Sequence, residues 1–204
     1  MPRSASSHHR AAVSIAVLVS LSLTGCSFGD NTSPDTKRVS AAGISFRVPA
    51  GWEEVEPEDV TEVAEQDNRM ADLIEQSGLT PDQFRRMMSN IDLLLMSDDR
   101  PQPGFVDNVG VLPIPGRMPS DKLLRRELTR GGGLDVLDVF HEQTQLGDAT
   151  VVVYEQELAD HRIHNEAVVA ETADGLVSVT ISASTRETAD DIADGILNTL
   201  ADAS

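Results

Sequence analysis

The stretch Leu176-Val177-Ser178-Val179-Thr180-Ile181-Ser182-Ala183 alternates apolar and small polar side chains without a break. Successive side chains of a strand point to opposite faces. A period of two therefore sends Val177, Val179 and Ile181 inward and Ser178, Thr180 and Ser182 outward. Three more strand-like runs precede it, over residues 134–145, 149–158 and 163–170. The joints between them are Gly147-Asp148, Asp160-His161-Arg162 and Asp174-Gly175, which are turn signals at hairpin spacing. Four consecutive hairpin-linked strands dictate an antiparallel sheet.

Outward from this core the period changes. Ala189, Ile192, Ala193, Ile196, Leu197 and Leu200 form one apolar stripe opposite Asp190, Asp191 and Asp194, which is an amphipathic C-terminal helix. Ser184 and Glu187 have capping-box spacing at its start. Towards the N-terminus, Ser120 opens a short helix with Leu123, Leu124 and Leu128, released by Gly131-Gly132-Gly133. Residues 93–96 read as a strand buried on both sides, and 106–114 as another, ended by Pro113, Pro115, Gly116 and Pro119. Thr80 and Pro81 start a helix as N-cap and first-turn residue, with Phe84, Met87, Met88 and Ile91 on its apolar face. A further helix is expected from Glu58, with Val60, Val63, Ala64, Met70, Ala71 and Ile74 on one side and Gly78 as its stop. Helices of this number, set against one sheet, predict an α+β fold with an antiparallel sheet covered by helices on both faces.

The N-terminal segment has another logic. Arg3, His8, His9 and Arg10 precede an uncharged run, residues 11–23, of Ala, Val, Ile, Leu and Ser. That run is too short to span a bilayer, and it ends in Leu23-Thr24-Gly25-Cys26, with the chain's single cysteine. The order resembles a bacterial lipobox. It implies cleavage before Cys26, lipid on the Cys26 sulfur, and a cell-membrane location on the extracytoplasmic face. More than one acyl chain on that residue gives stable anchoring where one gives marginal binding. Residues 1–25 are thus a signal peptide, 26–40 a lipidated N-terminus and polar tether of roughly 20 Å as a coil, and 41–204 the folded domain.

Composition narrows the function. The chain carries 34 acidic and 16 basic residues, a net charge of −18, so it is a poor partner for phosphate backbones. That charge also discourages the domain from lying on an anionic surface. With one cysteine there is no internal disulfide, and the core must hold the domain unaided. The two lysines, Lys37 and Lys122, against fourteen arginines suggest a GC-rich coding sequence.

The segment Ile44-Ser45-Phe46-Arg47-Val48-Pro49-Ala50-Gly51-Trp52 resembles the strand, Pro, Gly-Trp entry of the PsbP-like α/β/α sandwich. With the lipobox, the tether and the element order, it is similar to actinobacterial lipoproteins of the LpqN/LpqT type. The resemblance covers about residues 41–200. It implies a non-enzymatic envelope protein that binds a protein partner, an adaptor in envelope lipid biogenesis or export. It brings no catalytic motif with it.

The residues themselves offer little chemistry. His161 and His164 flank the start of a strand three positions apart and so point to opposite faces, while His141 lies elsewhere; no metal is expected. No Gly-x-Ser-x-Gly elbow, calcium loop or phosphate-binding glycine motif occurs, and the Asp98-Asp99 and Glu53-Glu54 pairs read as solvated. No cofactor is expected. Met70, Phe84, Met87 and Met88 form a possible ligand or partner groove, since methionines make adaptable apolar surfaces as well as core filling. Two other functions stay open: a carrier for an apolar or glycolipid ligand, and a hydrolase whose site has no recognised motif.

Overall fold

The computed structural model describes residues 36–54, 80–97, 105–131, 134–158 and 161–203. Ten strands and three helices occur among them. They run β1 (Thr36–Ala41), β2 (Ile44–Pro49), β3 (Trp52–Glu54), α1 (Pro81–Met88), β4 (Leu93–Ser97), β5 (Asn108–Ile114) and α2 (Asp121–Gly131). After these come β6 (Asp135–Thr144), β7 (Gly147–Leu158), β8 (His161–Thr172), β9 (Gly175–Ala183), α3 (Arg186–Leu197) and β10 (Ala201–Asp202).

Seven strands form one sheet in the order β3-β4-β5-β9-β8-β7-β6, every neighbour antiparallel. Strands β6 to β9 are successive hairpins, as the turn signals require, and β4 is buried on both sides. The remaining three form a second sheet, β1-β2-β10, also antiparallel. On one face of the large sheet Leu93, Leu95, Val109, Val111, Val151, Val168, Val179 and Ile181 make the main core. It is closed by Ala189, Ile192, Ala193 and Ile196 of α3 and by Ile44, Phe46 and Val48 of β2. On the other face Leu124 and Leu128 of α2 pack on Val152, Tyr154 and Ala167 at the β7–β8 end.

This overturns the expected layering. Strand is the dominant structure, and helices do not cover both faces. Part of the core face is closed by a second sheet, and α2 packs on the opposite face at the β7–β8 end. The physical reason is the β1–β2 hairpin. Residues 36–40, expected as tether, form strand β1, whose half-buried Val39 and Ala41 pack on the core. The tight turn at Ala42 and Gly43, with φ of 49° and 79°, returns the chain. Two successive positive φ values are the signature of the two-residue turn that suits hairpin twist. The C-terminus then joins the same sheet, because β10 follows α3 directly and pairs with Ser45 and Ile44.

Two other expectations are corrected. Ser178, Thr180 and Ser182 do not face solvent: β9 is the central strand of the seven and is buried on both faces. Their hydroxyls are accommodated internally. Ser182 Oγ donates to Asn165 Oδ1 at 2.8 Å, and Ser178 Oγ lies 3.3 Å from Thr180 Oγ1. The N-cap of α3 is Thr185, one residue later than expected; its Oγ1 accepts from Thr188 N at 3.1 Å. Ser184 is instead buried, with its backbone N–H donated to Asp107 Oδ1 at 2.7 Å. By contrast Thr80 caps α1 as expected, in a reciprocal pair with Gln83.

The turn offers a direct test. An alanine in the left-handed region costs about 1 kcal/mol or more, and Asn-Gly is the favoured pair for this turn. Ala42→Asn should therefore stabilise the domain by about 0.5–1 kcal/mol, read as an upward shift of the urea midpoint at unchanged slope.

Candidate functional site

The main concentration of charge that the fold brings together lies where the start of α3 meets β7 and β8. Glu155 of β7 and His164 of β8 are register partners, and Glu166 stands two residues further along the same face. Strand geometry forces all three towards α3. Arg186 opens that helix, and Ala189 and Asp190 follow on its first turns. Together with Leu137, Val153 and Asn165 these residues line a shallow surface notch.

Each charge has a defined partner. Arg186 Nη2 donates to Glu155 Oε1 at 2.6 Å, and His164 Nδ1 lies 3.2 Å from the same oxygen. Arg162 Nη1 stands 3.7 Å from Glu155 Oε2 while its Nε donates to Glu157 at 2.9 Å. The Arg186 hydrogen bond above all, then the charges of His164 and Arg162, holds the Glu155 carboxyl below the ordinary glutamate range.

Glu166 behaves in the opposite way. It is 5% exposed, and loss of hydration comes first among the causes that push its pKa up to about 8. A hydrogen bond with Asp190 and the charges of Asp190 and Asp194 add to the shift, and Arg186 opposes it. At neutral pH Glu166 therefore keeps its proton, hydrogen-bonded with Asp190.

One ionised and one protonated carboxyl on neighbouring strands form a pattern that also serves acid–base catalysis. Here both are spent on the helix, Glu155 on Arg186 and Glu166 on Asp190. The notch also encloses no space for a bound small molecule. The arrangement is an electrostatic clamp that seats α3.

The residues singled out by sequence are placed as follows. Cys26 and Met70 lie outside the described residues. Phe84 and Met87 lie on α1, and Met88 is buried at its end. His164 joins the clamp. His141 lies across the sheet, with Nε2 3.3 Å from Asp121 and Nδ1 3.3 Å from Thr150 Oγ1. Among the described residues no three His, Cys, Asp or Glu side chains are grouped to hold a metal ion. Glu53 and Glu54 are exposed on β3, and Asp98-Asp99 lies outside the described residues. Sequence reasoning missed Glu155, Glu166 and Arg186. The available signal was an acidic residue on the core-facing side of a strand, since Glu166 stands in phase with Val168 and Ala170.

The fold can be placed among known ones. The chain is similar to the solution structure of cyanobacterial PsbP (CyanoP) from Synechocystis sp. PCC 6803, with a TM-score of 0.50 and 14% sequence identity. The match covers 87% of this chain and 98% of that one. The domain therefore has a PsbP-like fold. No family model matches the chain, and no curated protein does.

The clamp predicts a particular pH dependence. A folded pKa of about 8 for Glu166, against 4.5 unfolded, means that the folded state holds this proton more tightly. Stability is thus full below pH 4.5, falls as pH rises towards 8, and levels beyond it. The loss from this group by pH 7 is on the order of 3 kcal/mol. Glu155 runs the other way, and its contribution disappears as pH falls below 4.5 towards its lowered pKa. Glu166→Gln should remove the alkaline slope, so that the variant gains on the native protein steadily from pH 5 to 8 in chemical denaturation. An equal difference at both ends would show that Glu166 titrates normally.

Proposed function

We propose that this protein is a lipid-anchored, extracytoplasmic envelope lipoprotein that binds a protein partner, an adaptor in envelope lipid biogenesis or export. The observation that carries it is Leu23-Thr24-Gly25-Cys26 at the end of a charge-free apolar run that follows Arg3 and Arg10. The PsbP-like fold supports the reading. Lipobox, PsbP-like domain and arginine-rich composition together favour an actinobacterial lipoprotein of the LpqN/LpqT type.

The geometry favours a protein partner over a small ligand. The described notch is too small for a lipid tail, and its polar groups are engaged with α3. Of Met70, Met87 and Met88, the one whose side chain is described, Met88, is packed at 3% exposure as core.

Two experiments test the reading. Cys26→Ala should move the protein from the membrane to the soluble envelope fraction or leave it unprocessed. Fractionation with a mass measurement distinguishes these from a mutant that stays mature and membrane-bound, which would refute the anchor. Affinity purification from native membranes should recover a reproducible protein partner. Recovery of a bound lipid and no protein would transfer the function to a carrier.

A further inference from the structure

The sheet nearest the proposed anchor carries a charge pattern that runs against the rest of the chain. Strands β1, β2 and β10 hold Lys37, Arg38 and Arg47 against one carboxylate, Asp202, in a protein of net charge −18. Arg38 and Arg47 are register partners on the exposed side of the hairpin, directly opposite each other, while Ile44, Phe46 and Val48 take the core side. Like charges opposed in this way destabilise a strand pair.

Nothing on the described surface offsets them. Arg38 Nη1 donates to Ser45 Oγ at 2.7 Å and Arg47 Nη1 to Thr36 Oγ1 at 3.0 Å, both uncharged acceptors. Elsewhere Arg125, Arg126, Arg162 and Arg186 each stand beside a carboxylate, while Arg86, Arg117 and Arg130 have none among the described residues; what sets Arg38 and Arg47 apart is that they face each other across one strand pair. In a chain with acidic residues in twofold excess, two opposed arginines with no carboxylate within ion-pair distance among the described residues form a local anion-binding surface.

We infer that the exposed face of the β1–β2 hairpin rests on the anionic phospholipid headgroups of the membrane that holds the protein. The inference rests on the Cys26 anchor proposed above. Two physical points select a bilayer as the occupant. Ten residues separate Cys26 from Thr36, a coil distance of roughly 17 Å and at most about 35 Å when extended. The hairpin is thus the part of the domain held against the headgroups. The second is charge complementarity. The acidic remainder of the domain is repelled by an anionic surface, so Arg38 and Arg47 decide which side faces down. Each arginine is worth about a fivefold shift in the balance of orientations.

The test uses the mature lipidated chain in vesicles of phosphatidylcholine alone or with about one-third phosphatidylglycerol. A fluorophore on a cysteine introduced at exposed Ser40 transfers energy to a headgroup-labelled lipid. Transfer should be higher in the anionic vesicles and fall with salt. Arg47→Glu should abolish that composition dependence while leaving the melting temperature unchanged or higher, because it turns a repulsive cross-strand pair into an attractive one. Arg38→Gln/Arg47→Gln should also abolish it, without introducing a new ion pair.

Equal transfer in both vesicle types would overturn the inference while vesicle flotation still upheld the anchor. Failure to float would remove both. Retention of the composition dependence by the arginine variants, with loss of a protein recovered from native membranes, would assign the face to a protein and overturn the inference.

Discussion

Strand β9 is buried on both of its faces, and much of the domain's arrangement follows from satisfying the two sides at once. One side is apolar. Val177, Val179, Ile181 and Ala183 form the floor on which α3 and β2 are laid. The other side carries hydroxyls, which cost free energy inside a protein unless they find partners. Ser182 finds Asn165 on β8, and Ser178 and Thr180 find each other. These bonds run along and across strands whose order is already set by hairpin connections. Small hydroxyl side chains thus pack as core without breaking the ladder, and the sheet can be thick at its centre.

Helix α3 depends on the same floor and adds a polar margin to it. Ala189, Ile192, Ala193 and Ile196 supply the apolar contact. The start of the helix, where the apolar stripe gives out, is held by Glu155 through Arg186 and by Glu166 through Asp190. A carboxyl as deeply buried as Glu166 costs least when protonated, and an adjacent acceptor then uses that proton. Packing sets where α3 lies; the clamp fixes its first turn. Beyond the last turn, β10 ties the chain to β2, so both ends of the described domain meet in one small sheet.

Much of this architecture was legible in sequence because it is local. Turn residues two apart delimit β6 to β9, and apolar periodicity marks α2 and α3. The unread parts depend on partners remote in sequence. Glu155 and Arg186 are 31 residues apart, and nothing in either neighbourhood signals the pairing. The outward assignment of Ser178, Thr180 and Ser182 assumed a sheet with one wet face, whereas the order β5-β9-β8 places β9 in the interior. Strand β1 was hidden by its polar residues, since only half-buried Val39 and Ala41 carry its apolar phase. The cap shifted from Ser184 to Thr185 because Asp107, 77 residues away, takes the Ser184 amide. The layering failed for the same reason. A two-stranded hairpin and a two-residue C-terminal strand, each weak alone, combine into a sheet that closes part of the core.

The distribution of charge separates what the fold needs from what it presents. At the start of α3 each carboxyl has partners within the protein, Glu155 among Arg186, His164 and Arg162 and Glu166 at Asp190. At the β1–β2 hairpin two like charges are placed in register and left open, which the hairpin tolerates only because its other side is anchored by Ile44, Phe46 and Val48 in the core. Surface pairs of opposite charge add little to stability, so matched charges inside the clamp and unmatched ones outside it are not two versions of one device. The clamp acts on the protein itself. The opposed arginines face outward on the side at which the chain runs back towards Cys26, where charge complementarity favours an anionic partner.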